Sequence, residues 1–154
     1  MSDVIAFEVV GQPVPQGSLR SLVTPQGKVN SMSDPKLARY RADIRAIALD
    51  VMRERTLMAW AVRMDISFVL SRPAYHFHPV NSKRTEPEVK PGASAFPFGP
   101  PDLDKLCRSV LDALTGIVYA DDAQVISLHG RKDWSDEPAF GGLTHITITG
   151  GNGP

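Results

Sequence analysis

The sequence contains little cysteine and no long hydrophobic run. Cys107 is the single cysteine, which excludes an internal disulfide and a zinc site built from several thiolates. No apolar run approaches the roughly 20 residues of a membrane-spanning helix, and the first residues lack the basic and apolar regions of an export signal. These absences predict a cytoplasmic protein that does not enter a membrane.

The charges balance overall but not along the chain. Residues 1–99 carry 13 Lys and Arg against 9 Asp and Glu, whereas residues 100–154 carry 4 against 8. A basic N-terminal part is typical of a protein that binds an anionic polymer, and an acidic C-terminal part is typical of one that binds cations. A charge excess of this size also arises by chance. The length of 154 residues and the 42% apolar composition indicate one globular domain.

The hydrophobic pattern predicts a single α+β domain over residues 1–149 and a loose tail at 150–154. Four strands are predicted, at residues 4–10, 59–70, 123–133 and 143–149. Apolar residues three and four apart predict two main helices. The first lies in SDPKLARYRADIRAIALDVMRE, capped by Ser33 or Asp34, and the second begins near Asp102. We expect them to pack on a mainly antiparallel or mixed sheet.

The segment 72–101 contains seven prolines and shows no periodicity. A loop of this length in a compact domain is either functional or mobile. Its aromatic side chains are candidates for stacking on nucleic acid, although local packing is their commoner role. They are Tyr75, Phe77, Phe96 and Phe98. His76 and His78 lack further ligand spacing, so a structural or solvated role is favoured over a metal site.

The stretch PDLDKLCRSVLDALTGIVYADD holds five aspartates against one lysine and one arginine. Asp102 and Asp104 stand at the start of the second helix, and Asp121 and Asp122 precede a strand. Each is ordinary by itself as a helix cap or a turn residue. Adjacent carboxylates repel one another unless a cation lies near them. Because Mg²⁺ and Mn²⁺ prefer carboxylate oxygens, the pattern favours a divalent metal site.

Within the second helix, Asp104, Arg108 and Asp112 recur every four residues and so share one face. This spacing is typical of a surface ion-pair ladder, which stabilises a helix only slightly. It also predicts that the Arg108 guanidinium lies beside the metal site, where a fixed cation would hold a phosphate. We expect Asp112 to be the ion-pair partner that orients Arg108.

These residues carry a family resemblance. The stretch contains, in order, D-x-D-[KN], a basic residue four positions after the second Asp, D-A-L-x-G, and D-D before a strand. This order resembles the RusA family of Holliday junction resolvases. The opening FEVVGQPVPQGSLR also resembles that family. The resemblance implies a RusA-like homodimer that binds four-way DNA junctions and nicks them in symmetric pairs with Mg²⁺, with Mn²⁺ as the substitute ion. It places the metal ligands at Asp102, Asp104 and Asp122, with Asp121 as an auxiliary carboxylate. It further implies a phage or prophage enzyme acting in bacterial cytoplasm.

The chain departs from the family at Arg108, where the resemblance implies a catalytic lysine. Arginine retains the positive charge but stays protonated, so it is a poor proton donor. Lys105, where many relatives have asparagine, is the available substitute.

Basic side chains are expected to contact DNA phosphates. The candidates are Arg20, Lys28, Arg41, Arg45, Lys83, Arg84 and Lys105. Gln16, Gly17 and Ser18 are candidates for lining the cleft, and the strand histidines His129 and His145 are expected to be structural. Two alternatives remain open: a less selective metal nuclease that cuts flaps or other branched DNA, and a non-catalytic nucleic-acid-binding module in which Arg108 marks lost activity.

Overall fold

The structure is a computed structural model that describes residues 3–17, 21–23, 25, 29–31 and 34–151. Its main elements are, in chain order, β1 (Asp3–Val10), β2 (Ser21–Val23), β3 (Val29–Ser31), α1 (Pro35–Val51), β4 (Val62–Leu70), α2 (Leu103–Leu114), β5 (Val125–Trp134) and β6 (Leu143–Gly150). Two helices and a mixed sheet confirm the α+β prediction. No helix in this described part of the chain is long and apolar enough to cross a bilayer.

The main sheet has the strand order β1-β6-β4-β5. β6 pairs antiparallel with both β1 and β4, whereas β5 pairs parallel with β4. β5 is therefore an edge strand, and the sheet is mixed. The alternation of residues along β4 buries one face, as the sequence predicts. The buried β4 side chains are Val62, Met64, Ile66, Phe68 and Leu70.

Helix α1 begins where the sequence predicts. The Asp34 carboxylate accepts a hydrogen bond from the Lys36 amide at 2.9 Å, and Pro35 occupies the first turn. Ser33, the other candidate cap, lies outside the described residues. The buried side of α1 includes Tyr40, whose hydroxyl lies 2.7 Å from the Thr144 hydroxyl of β6 and so ties the helix to the sheet.

Helix α2 packs on the sheet in the opposite direction to β5. A Cβ atom placed on Gly130 of β5 would meet Cys107 and Leu103, both in the first half of α2. The Lys132 ammonium donates to the carbonyls of Gly99 and Pro101, at 2.6 and 2.8 Å. The start of α2 therefore lies beside the end of β5, and the end of α2 lies towards the start of β5.

Segment 72–101 is ordered by backbone hydrogen bonds between its own residues. The His78 amide donates to the Glu88 carbonyl and the Lys90 amide to the His76 carbonyl, each at 2.8 Å. Phe77 is buried, so this side chain is not available to stack on DNA. The other three aromatic candidates of the segment are exposed.

Candidate functional site

Asp102 stands at the N-cap position of α2, but its carboxylate makes no capping hydrogen bond. Instead it lies 2.8 Å from the Lys105 ammonium. The hydrogen bond and charge of Lys105 lower the pKa of the exposed Asp102 carboxyl, and the pKa of Lys105 is raised in return. Helix capping therefore does not explain why an aspartate occupies this position.

Asp104 lies close to the same ammonium. Its charge contributes to the raised pKa of Lys105, after the larger effects of Asp102. Burial raises the pKa of the Cys107 thiol, and the nearby Asp104 charge adds to this shift. Both carboxylates at the start of α2 therefore influence the Lys105 ammonium, which contacts Asp102 directly.

Asp104 and Arg108 also line a groove between α2 and the β5 edge. This α2 groove has a volume of about 440 Å³, and its remaining lining residues are Leu103, Cys107, Leu111, Leu128, His129 and Gly130. Arg108 is exposed, and none of the described acidic side chains lies within ion-pair distance of it. The guanidinium is therefore accessible to an external anion.

Asp112 does not pair with Arg108, so that prediction is wrong. Its carboxylate lies 2.6 Å from the Arg41 guanidinium, which also donates to the Gln16 side chain. Spacing along one helix does not reveal which residues the neighbouring helix presents, and α1 supplies a closer cation than Arg108. Arg45 of α1 likewise donates to the Ala113 carbonyl at 3.3 Å.

Asp121 has the capping role that is ordinary for an aspartate in a turn. Its carboxylate accepts the Ala123 amide at 2.8 Å and caps the 3₁₀ turn Asp122–Gln124. The Gln124 side-chain oxygen accepts the Asp121 amide at 3.0 Å, which completes a capping box. Asp122 is exposed at the first position of this turn.

The two acidic pairs lie at opposite ends of α2. Asp122 lies near the Tyr119 phenol, whose hydroxyl donates to the Leu111 carbonyl near the end of the helix. Because Leu103–Leu114 rises 1.5 Å per residue, the two helix ends are about 17 Å apart. Among the described residues, no group of three or more His, Cys, Asp or Glu side chains could hold a metal ion. One chain therefore does not bring Asp102, Asp104 and Asp122 together.

The remaining basic candidates are dispersed. Lys83 and Arg84 occupy an exposed turn capped by the Asn81 side chain, and Arg84 pairs with Glu88 at 3.4 Å. Arg20, Lys28 and Ser18 lie outside the described residues. Gln16 does lie beside the site, because its amide donates to the Lys105 carbonyl at 3.0 Å.

The strand histidines lie on the open face of the sheet, each next to a carboxylate. His129 Nδ1 is 3.3 Å from the Asp65 carboxylate, and His145 Nδ1 is 3.0 Å from that of Glu8. Both pairs join residues directly opposite one another on neighbouring strands. Cross-strand contacts of this kind fit the structural role expected for them.

Sequence reasoning missed Lys132 and Trp134 on β5. Lys132 fixes the chain that leads into Asp102, through the two carbonyls that it binds. Trp134 lies beside His76 of segment 72–101, with ring centroids 5.8 Å apart. The available signal was the alternation of β5, which places Gly130, Lys132 and Trp134 on one face of the strand.

Comparison with known proteins relates this chain to a family and to a bacterial protein. The family model for endodeoxyribonuclease RusA matches residues 11–148. An uncharacterized protein, YqaN of Bacillus subtilis (strain 168), is 34% identical over 136 residues, which cover 88% of this chain and 92% of that protein. The matched family range includes the acidic pairs at both ends of α2.

Proposed function

This chain belongs to the RusA endodeoxyribonuclease family, and from that membership we propose that it is a Mg²⁺-dependent endonuclease that resolves four-way DNA junctions by paired, symmetric nicks. The observation that carries the proposal is the exposed pair Asp102 and Asp104 at the start of α2, beside Lys105 and Arg108. This pair of carboxylates is not used for helix capping or for packing. It is accessible to a cation and to a phosphate together.

The donors fit Mg²⁺. This ion commonly binds through one or two carboxylates together with substrate phosphates and keeps several waters, so a cage of protein ligands is not required. Asp102 and Asp104 supply two such carboxylates, and the hydrogen bond and charge of Lys105 lower the pKa of Asp102, which favours its ionised form. A bound divalent ion would supply Lewis-acid stabilisation of the phosphate charge and activation of water for hydrolysis.

The surrounding cations have separate roles in this proposal. Lys105 offsets part of the negative charge of the two carboxylates in the absence of a divalent cation, and its flexible side chain could contact a phosphate when the cation is bound. Arg108, one turn after Asp104 in the α2 groove, offers a planar guanidinium for a phosphate oxygen. It would offset charge on the transition state without exchanging a proton.

Asp122 would join this site from a second copy of the chain. The two ends of α2 are about 17 Å apart, whereas Mg²⁺ ligands lie about 2.0–2.1 Å from the metal. In agreement with this separation, Asp122 forms no metal-binding group with Asp102 and Asp104 among the described residues of one chain. Two coordinated nicks in a twofold-symmetric junction also require two sites, and a C2 dimer supplies them.

The β5 edge supports this dimer. Among the described residues, no strand pairs with the outer side of β5. This strand carries two exposed apolar side chains, Ile126 and Leu128, of which Leu128 lines the α2 groove. If β5 paired antiparallel with its own copy, the start of one β5 would approach the end of the other. Asp122 precedes the start of β5, and Asp102 lies beside its end at Lys132. The pairing would bring Asp122 of the second copy towards Asp102.

The proposal is tested by incubating the protein with a labelled four-way junction, a flap and a linear duplex, in Mg²⁺ and in EDTA. Paired nicks confined to the junction and abolished by EDTA are expected. Cleavage of every branched substrate would instead indicate the less selective nuclease. Tight binding with no cleavage in Mg²⁺ or Mn²⁺ would indicate the non-catalytic module.

The site assignment is tested separately by Asp104→Asn. The amide cannot neutralise a divalent cation, so cleavage should be lost while junction binding is retained. Asp43→Asn, a change at an exposed aspartate of α1, is the matched control and should cleave normally. Full cleavage by the Asp104→Asn variant would show that the metal site lies elsewhere.

A further inference from the structure

A second pocket, the aromatic pocket, lies between segment 72–101 and the end of β5. It has a volume of about 320 Å³, and the residues that shape it are Tyr75, His76, Phe96, Phe98 and Trp134. Adjacent rings meet edge to face: Tyr75 and His76 with centroids 4.6 Å apart, and His76 and Trp134 with centroids 5.8 Å apart. The lining of the pocket is therefore largely aromatic, which is typical of sites that bind flat, unsaturated rings.

Two residues that line this pocket each have a buried polar atom without a partner. Within the described part of the chain, His76 Nδ1 and Trp134 Nε1 are both buried without a hydrogen bond, and His76 is only 8% exposed. Buried polar atoms are nearly always paired in native proteins. The indole N–H can only donate, whereas an imidazole nitrogen can donate or accept. Both nitrogens are covered by protein atoms, so they mark unsatisfied polar groups beside the pocket, and the contact surface of the pocket is its aromatic lining.

The outer wall of the pocket is unusually exposed. Phe96 is 68% exposed, Phe98 90% and Tyr75 72%. Three neighbouring aromatic side chains in water form the kind of apolar patch that marks a binding surface. Aromatic side chains stack on nucleobases with little dependence on sequence, because every base has a π-face.

The walls of the pocket are held by hydrogen bonds. The Arg72 guanidinium donates to the Ser94 carbonyl at 3.0 Å, and the Lys90 ammonium donates to the Tyr75 carbonyl at 2.8 Å. The Lys132 ammonium donates a hydrogen bond to the Gly99 carbonyl at 2.6 Å. The aromatic pocket is thus preformed, which lowers the entropic cost of binding.

The pocket adjoins the proposed metal site. Gly99 lines the pocket, and Asp102 follows three residues later, a span of at most about 11 Å. That span equals about three nucleotide steps along one strand. A DNA strand with a phosphate at Asp102 therefore passes within reach of the pocket.

We propose that the aromatic pocket binds one unstacked nucleobase of the DNA strand next to the cleaved phosphate. The base would stack on the exposed ring of Phe98, beside the other exposed rings of the pocket, Tyr75 and Phe96. The location relative to the cleaved phosphate rests on the proposed function, but stacking of the base does not, because it needs no metal. Unpaired bases at branch points cost the least to unstack, so the pocket would favour branched over continuous duplex DNA.

The test compares two single-stranded oligonucleotides of equal length and charge in EDTA. One carries a single nucleobase flanked by abasic sugar phosphates, and the other is abasic throughout. Binding is measured by quenching of Trp134 fluorescence in a Trp60→Phe background, which removes the other of the two tryptophans. The base-containing strand should bind about tenfold or more tightly, as expected for stacking of one base.

Phe98→Ala should abolish this preference without changing the affinity for the abasic strand. Folding should be preserved because the side chain is almost fully exposed. Val80→Ala, at another exposed apolar residue of the same segment, is the matched control and should keep the preference. Equal binding of both strands by the Trp60→Phe protein, or a Phe98→Ala effect equal on both strands, would overturn the proposal.

Failure of the proposed function is distinguishable from failure of this inference. A protein that prefers the base-containing strand but cleaves no junction in Mg²⁺ retains the pocket and loses the nuclease assignment. A protein that cleaves junctions normally but shows no preference in EDTA retains the nuclease assignment and loses the pocket.

Discussion

Arg108 is the residue at which this chain departs from its family resemblance, and its surroundings are those of an electrostatic group. Its guanidinium is exposed in the α2 groove beside Asp104. No described acidic side chain competes for it, because Asp112 is held by Arg41. A fixed positive charge facing an accessible phosphate position is what electrostatic stabilisation requires, and arginine provides it as well as lysine.

We therefore predict that Arg108→Lys retains junction cleavage within about tenfold, whereas Arg108→Ala loses about 10²- to 10³-fold, the usual effect of removing one stabilising group. Single-turnover rates across a pH series measure both. If the side chain instead transferred a proton, Arg108→Lys would introduce a new ionisation in the pH–rate profile and raise the rate. Arg39→Ala, at an exposed arginine of α1, serves as the control for general loss of positive charge.

The tyrosines offer a test of the packing around both helices. Burial raises the pKa of Tyr40 and of Tyr119 well above the ordinary value of about 10. Tyr75 is exposed. The folded state therefore holds two phenol protons that the unfolded state releases, so this stabilisation is complete below about pH 10 and is lost progressively as pH rises further.

In a Tyr75→Phe background the two remaining tyrosines are Tyr40 and Tyr119. An alkaline ultraviolet titration of this variant should show both phenols ionising only as the protein unfolds. Circular dichroism recorded on the same samples identifies the unfolding step. Ionisation of either phenol before any loss of helix signal would contradict the buried placement of Tyr40 and Tyr119.

At the scale of secondary structure, the contact of α2 with β5 depends on the absence of a side chain at Gly130. A Cβ atom there would lie 2.7 Å from the Cys107 sulfur, closer than real contacts allow. Gly130→Ala should therefore destabilise the fold by about 1–3 kcal/mol, as overpacking usually does. Chemical denaturation measures the change.

Cys107→Ala removes the sulfur and should restore much of that loss in the double variant, so the two changes should be non-additive. Gly141→Ala, where an added Cβ would have no neighbour within 4 Å, is the matched control and should change stability by no more than about 0.5 kcal/mol. Strict additivity of Gly130→Ala and Cys107→Ala would show that α2 does not approach β5 as closely as described.

The elements themselves were largely predictable, because each depends on local sequence. The alternation of β4, the Asp34 cap of α1 and the start of α2 at Asp102 follow from patterns within a few residues. Contacts between elements were not predictable in this way. The partner of Asp112 depends on how α1 crosses α2, and the aromatic pocket depends on which part of segment 72–101 meets Trp134.

At the scale of the whole molecule, the same limit applies to the acidic residues. The sequence places Asp102 and Asp122 within 20 positions of each other, but the intervening helix holds them at opposite ends of its length. If a second copy of the chain completes each site, this separation allows each chain to contribute ligands to two different sites. Each site would then contain Asp102 and Asp104 from one chain and Asp122 from the other.

This arrangement makes a prediction that no single-chain site shares. The variants Asp104→Asn and Asp122→Asn should each be inactive alone, because every site in either homodimer lacks one ligand. Mixed and allowed to exchange subunits, they should form heterodimers in which one site carries both substitutions and the other carries neither. The mixture should therefore regain Mg²⁺-dependent cleavage but place a single nick in each junction, which denaturing and native gels distinguish from paired nicks. A mixture that stays inactive although mass spectrometry shows heterodimers would place all the ligands of each site within one chain.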